Sequence, residues 1–124
     1  MRRCRLLAAL LLSVTSCSHL KMGLFLLKDN PSANDPAAVT RGQAAYAANC
    51  ASCHGDDGDG RGSQAATLST PPTNFRDSSS EGASRIAARI AYGKGSAMPA
   101  FRETLSENEI WDIANYVYSI QRPN

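Results

Sequence analysis

Cys50, Ala51, Ser52, Cys53 and His54 bring two thiols and one imidazole into a five-residue run. A C-x-x-C-H run is the sequence signature of covalent c-type haem attachment. On one helical turn positions i, i+3 and i+4 share a face, so Cys50, Cys53 and His54 can address a single flat ligand. The two sulfurs would add across the haem vinyl groups as thioethers, while the His54 ring nitrogen would stand over the iron as its proximal ligand.

Other chemistries of paired cysteines explain less of the chain. A thioredoxin-like redox pair calls for a β-α-β pattern, whereas the residues before Cys50 are alanine-rich and helical in character. Structural zinc takes about four ligands, and the remaining cysteines, Cys4 and Cys17, fall in or beside a segment with the layout of a targeting signal. A plain Cys50–Cys53 disulfide leaves His54 without a role. The glycine-rich loop 55–62 carries Asp56, Asp57 and Asp59, but counting a calcium loop of about twelve residues from Asp57 ends on Leu68, where glutamate is needed. Its acids read as solvated side chains on a flexible loop.

Haem iron held by one histidine has a second axial position, and its occupant separates electron carriers from haem enzymes and gas sensors. Histidine occurs only at 19 and 54, and methionine only at 1, 22 and 98. His19, Met1 and Met22 precede the domain, which leaves Met98. It sits in the run Gly93-Lys94-Gly95-Ser96-Ala97-Met98-Pro99-Ala100-Phe101, a glycine-rich turn able to lay backbone close to a ring.

Three helices position these groups. Asp35-Pro36 is a helix start that predicts a first helix over 36–49, with Gly42 inside it, where close backbone packing would offset the roughly 1 kcal/mol cost of glycine. Ser84–Tyr92 repeats Ile86, Ala87, Ile90 and Ala91 at helical spacing and ends at Gly93, a C-terminal cap. Ser106-Glu107-Asn108-Glu109 is a capping box that opens a last helix with Ile110, Ile113, Ala114 and Val117 on its apolar face and a stop near Pro123. No segment reads as a strand, so the fold class expected is all-α.

The 124 residues hold one domain, preceded by other material. Residues 1–16 have a basic start at Arg2, Arg3 and Arg5, an apolar stretch over 6–12 and a small-residue end, the layout of a secretory signal. Val14-Thr15-Ser16-Cys17 resembles the bacterial lipoprotein cleavage box, which implies that Cys17 is acylated and anchors the chain to a membrane. Residues 17–34 read as a tether whose apolar patch over 22–27 could lie on the membrane surface, against the domain or simply in a greasy linker, and 35–124 as the domain. Ordinary cleavage to a soluble periplasmic protein and an uncleaved membrane span over 6–27 are the alternatives. Loss of residues 1–16 removes three of the thirteen basic side chains and none of the eleven acidic ones. The near-neutral remainder offers no stripe for nucleic acid.

With the C-x-x-C-H after the first helix, the methionine in an M-P-x-F context and a closing amphipathic helix, the chain resembles a class I cytochrome c, a small bacterial one, over about residues 35–122. The resemblance implies a cytochrome c fold with three or more helices wrapped around one covalent haem c. It implies that Gly42 and Tyr46 cross the last helix near Ile113 and Tyr116, and that a proline carbonyl, of Pro71 or Pro72, steadies the proximal histidine. Phe75, Tyr92 and Phe101 are the pocket walls it suggests.

With Cys50 and Cys53 as thioether sites and His54 and Met98 as axial ligands, the design is that of a one-electron carrier rather than an enzyme. Its partners are redox proteins, namely an oxidase, reductase or dehydrogenase, met on the outer side of the cytoplasmic membrane. A dedicated haem subunit of a dehydrogenase or reductase complex is the second reading. A haem peroxidase or gas sensor with an open axial site is the third.

Overall fold

The computed structural model describes residues 20–77 and 81–121. Among them the order is α1 over 20–26, α2 (Ala38–Asn49), α3 (Ala51–His54), a 3-10 turn (Ala65–Thr67), α4 (Ala83–Tyr92) and α5 (Glu107–Ile120). The only bridge of β type joins Lys94 to Met98, and among the described residues there is no strand.

α5 is the spine of the molecule. Ser106 caps it as the sequence predicts: its hydroxyl accepts from the Glu109 amide at 3.3 Å, and the Glu109 carboxylate accepts from the Ser106 amide at 2.8 Å. Ile110, Trp111, Ile113, Ala114 and Val117 are buried on several sides of this helix, because α2, α4 and α1 all pack on it. Trp111, Tyr46 and Ile113 are the largest fully buried side chains.

α2 crosses α5 at Gly42. A Cβ there would lie 1.9 Å from the Asp112 carbonyl oxygen and 3.0 Å from the Tyr116 Cβ, so only glycine permits this approach. Tyr46, one turn on, meets Tyr116 with ring centroids 5.1 Å apart. The expected contact of Gly42 and Tyr46 with the last helix is present, centred on Asp112 and Tyr116. An ion pair closes its edge: Arg41 Nε donates to Asp112 Oδ2 at 2.7 Å and Arg41 Nη2 to Asp35 Oδ2 at 2.7 Å. Asp112 is buried, and a buried carboxylate requires such a partner.

Two boundaries differ from expectation. α2 begins at Ala38 rather than Pro36, because Asp35 closes a turn of its own. Its side chain accepts from the Ala37 amide at 2.9 Å and its carbonyl from the Ala38 amide at 3.1 Å. The stretch 20–34, expected as a tether, is packed on the domain. Phe25, 7% exposed, stacks on Trp111 at 5.6 Å and meets the Tyr92 ring edge-on at 5.8 Å. Lys28 pairs with Glu107 at 2.7 Å, and Asn30 Nδ2 donates to Asn115 Oδ1 at 2.7 Å. An aromatic side chain that finds two aromatic partners is drawn out of water, and periodicity within a short patch does not encode that. The expected signal over 1–16, the anchor at Cys17, and His19 lie outside the described residues.

Candidate functional site: a haem-sized cleft between α3, α4 and α5

Cys50 ends α2 with φ −123° and ψ −33°, and the chain turns there into the short α3. The Cys53 and His54 amides both donate to the Cys50 carbonyl, at 3.1 Å and 2.9 Å. The C-x-x-C-H run is therefore one helical turn, and its three chemical groups share one side. The loop that follows folds back along this turn. Gly60 N donates to the His54 carbonyl at 2.7 Å, Gly62 N to that of Cys53 at 3.1 Å and Gln64 N to that of Ser52 at 2.8 Å. Within the loop, Asp59 Oδ1 accepts from the Arg61 amide at 2.9 Å.

Met98 reaches the same cleft from a different element. α4 stops at Gly93, whose φ of +73° is open to glycine, and whose Cβ would lie 2.5 Å from the Met98 carbonyl oxygen. Residues 94–98 close a tight reversal in which Lys94 N donates to the Met98 carbonyl at 2.9 Å. Phe101 N then donates to the Ile90 carbonyl at 3.0 Å, which straps the loop to the end of α4.

Between these segments lies a cleft of about 450 Å³ lined by Cys50, Cys53, His54 and Met98 together. That volume is in the range of small-molecule and cofactor sites. Ile86 and Ile90 of α4, Ile113 and Val117 of α5, and Phe75 and Phe101 of the loops supply apolar walls. All four residues singled out by type and spacing are thus brought to one cavity, although 44 positions separate His54 from Met98.

The electrostatics favour the neutral forms of the Cys50 thiol and the His54 imidazole. Burial pushes the Cys50 thiol up to about 11, with the nearby Cys53 adding to the shift, and both cysteines are free of disulfides. Burial lowers the His54 pKa, opposed by a hydrogen bond with the Thr73 carbonyl at 3.2 Å. A carbonyl can only accept, so neutral His54 carries its hydrogen on Nδ1 and presents the Nε2 lone pair. Phe75 stacks on the imidazole with centroids 4.6 Å apart and planes 20° apart, which restrains the ring further. Two thiols, an imidazole with one free nitrogen and a thioether in an apolar cleft form a donor set that fits haem.

Two expectations are corrected here. The acceptor for His54 is the carbonyl of Thr73, not of Pro71 or Pro72. Both prolines line the cleft, but the chain extends past them before its carbonyl meets the ring. Tyr92 is not a wall of the cleft. It faces Phe25 on the other side of the α4–α5 layer and carries the Arg102 guanidinium 5.2 Å above its ring. Conversely, Tyr46 lines the cleft while its hydroxyl donates to the Gly55 carbonyl at 2.8 Å, which ties α2 to the end of the C-x-x-C-H turn. Its place at i−4 from Cys50 was the signal available in the sequence.

Known proteins agree with this geometry. The family described as cytochrome c oxidase, cbb3-type, subunit III matches residues 37–117. A thiosulfate dehydrogenase of Stutzerimonas stutzeri is 36% identical over 87 residues, covering 68% of this chain and 28% of that protein. A cytochrome c6 of Leptolyngbya boryana is 37% identical over 83 residues, covering 65% of this chain and 91% of that protein. Among solved structures, a chain of the Kuenenia stuttgartiensis reducing HAO-like protein complex superposes with a TM-score of 0.67 at 26% identity, over 77% of this chain and 50% of that one. The chain spans about a third or less of the length of the first curated relatives it matches, and nearly all of the cytochrome c6. The family match takes in α2 to most of α5, the elements that build the cleft, and it establishes that the chain belongs to the c-type cytochrome family of the cbb3 subunit III type, an all-α haem c domain.

Proposed function

We propose that Cys50 and Cys53 hold the haem as thioethers, that His54 and Met98 are its axial ligands, and that the chain is a carrier rather than an enzyme. The observation that carries this reading is the shared cleft, to which α3 and the 94–98 reversal deliver all four side chains. When bound, haem c supplies a one-electron couple at its iron. His54 is oriented by Thr73 and Phe75, so its Nε2 lone pair needs no reorganisation to act as ligand. Met98 offers a neutral sulfur, which favours the reduced metal and a more positive potential. With both residues engaged, neither axial position is left for peroxide or a diatomic gas. The apolar walls from Ile86, Ile90, Ile113 and Val117 keep water from the site.

The test is optical. The oxidised protein should show the weak red-edge absorption of iron–sulfur ligation, and M98A should lose it while keeping the thioether-linked haem. Carbon monoxide binding by the untreated reduced protein would instead point to an open axial position and defeat the carrier reading.

The place of action in this reading is the outer side of the cytoplasmic membrane, with residues 1–16 removed and Cys17 acylated. Incorporation of radiolabelled fatty acid, lost in C17A, checks the anchor. A second reading has support in the relatives. A cbb3-type oxidase subunit CcoP and a thiosulfate dehydrogenase match this chain over 34% and 28% of their own lengths. On that reading the protein serves one oxidase or dehydrogenase complex and does not diffuse alone, and co-purification with that complex would separate it from a free shuttle.

A further inference from the structure

α1 is apolar on two opposite sides, and only one of them is covered. At about 100° per residue, Met22 and Phe25 point to one side of the helix, while Leu20, Gly23, Leu24 and Leu27 fall on the other. The first side is packed into the core, Phe25 against Trp111 and Tyr92. On the second, Leu20, Leu24 and Leu27 are 64%, 57% and 80% exposed, and a Cβ on Gly23 would meet nothing within 4 Å. A helix apolar all round is stable only when both sides are removed from water, and a row of leucines is more than the scattered apolar exposure of an ordinary surface.

We infer that the Leu20–Leu24–Leu27 row rests in the interfacial layer of a lipid bilayer, and that α1 is the element that sets the orientation of the domain on the membrane. Three observations select lipid as the occupant. On the anchor reading above Cys17 sits in lipid three residues before Leu20, and without cleavage the apolar residues 6–12 take that place, so on either course the chain enters α1 from a membrane surface. Among the described residues, no helix is long and apolar enough to cross a membrane, so α1 lies on the bilayer rather than through it. Lys21, exposed on the flank of the row, suits anionic headgroups, whereas Lys28 is engaged with the domain: its Nζ holds both Glu107 oxygens, at 2.7 and 2.9 Å, and lies 5.2 Å from the Phe25 ring centroid. The row itself presents hydrocarbon, so its share of the attachment depends little on salt.

The clamp makes this an orientation and not only an attachment. Phe25, Lys28 and Asn30 fix α1 to Trp111, Glu107 and Asn115 of α5. Trp111 and Tyr92 do not line the cleft, whereas Ile113, Val117, Ile86 and Ile90 from the same two helices do. α1 thus sits on the back of the α4–α5 layer. With its leucine row on lipid, the cleft opens away from the bilayer, toward partners approaching from the aqueous side. The inference does not require acylation of Cys17.

The test uses the haem-loaded full chain in its oxidised state on vesicles of phosphatidylcholine and phosphatidylglycerol, with each label's relaxation taken relative to the same sample without oxygen or chelate. A nitroxide at L24C should be relaxed more by oxygen than by a water-soluble nickel chelate, and one at L68C, on the cleft wall, should show the reverse. In a C17S background, L20S/L24S/L27S should lower vesicle partitioning by about tenfold or more with the haem spectrum unchanged. Equal chelate access at both labels, no vesicle binding by C17S, or no loss in the triple variant would each overturn the inference. So would nitroxide–nitroxide broadening at position 24 in lipid-free protein that persists on adding vesicles, since a second copy would then cover the row. Failure of the anchor reading is separate, because it is read from fatty acid incorporation alone.

Discussion

The α2–α5 crossing and the cleft share Tyr46 and are built on different principles. The crossing is helix against helix: Gly42 admits the Asp112 carbonyl, Tyr46 meets Tyr116, and Arg41 neutralises Asp112 from the rim. Both oxygens of its buried carboxylate, Asp112, are engaged by Arg41. The cleft has helix on one side, from α4 and α5, and loop on the other, from 68–75 and 97–101. Its loops are held mainly by single backbone bonds, such as Phe75 N to the Gly58 carbonyl and Phe101 N to the Ile90 carbonyl. The crossing is a self-sufficient contact, whereas the cleft walls take much of their apolar cover from the haem they enclose. A domain of this size buries too little surface to spare that contribution.

The largest expected effect breaks the comparison at the cleft. A C50A/C53A protein produced without haem should lose most of its helical circular dichroism, because α3, α4 and the loops depend on the enclosed ring. A well-folded helical spectrum would refute the asymmetry. Next comes the crossing itself. In G42A the new methyl meets the Asp112 backbone, so the helices must separate. The variant should be destabilised by about 1–3 kcal/mol on thermal melting, although alanine is intrinsically the better helix former. A gain in stability would show that α2 and α5 pack less closely than described.

F25A sharpens the comparison, since it removes a ring from the back of α5 and touches neither region. We expect a loss of about 2–4 kcal/mol with an unchanged haem spectrum, because Phe25 stacks on Trp111 outside the cleft. A shifted spectrum would mean that the two faces of the α4–α5 layer are coupled. The smallest effect concerns the start of α5. The Ser106 hydroxyl and amide hold the Glu109 carboxyl below its ordinary 4.5. A depressed folded pKa contributes stability that is present above 4.5 and lost as pH falls through the folded value. E109Q should therefore melt below the parent at neutral pH, and the gap should close under acid. A gap that stays constant with pH would assign the effect to something other than this charge.

The two regions also differ in how far their parts are legible in the chain. The capping box at Ser106, the stop at Gly93, the C-x-x-C-H turn and Gly42 as a contact point all follow from rules that span a turn or less. Met98 follows by elimination among three methionines and two histidines, and it lines the cleft. The loops are less legible. Thr73 supplies the carbonyl expected of Pro71 or Pro72, because the path of an extended loop past two prolines is set by where its walls dock and not by a periodic pattern.

Residue types and short spacings thus determined the chemistry of this protein: two thiols, one imidazole, one thioether, and the helices that carry or follow them. These are local properties, since backbone bonding within a helix turn spans only a few residues. The tertiary structure alone decided which side of each apolar residue is covered. It turned Tyr92 from the cleft toward Phe25, made residues 20–34 part of the domain and left the Leu20–Leu24–Leu27 row facing outward. The physical reason is that hydrophobic burial has no direction of its own. A leucine or an aromatic ring is drawn from water by whichever surface comes near, and only the assembled fold says which surface that is.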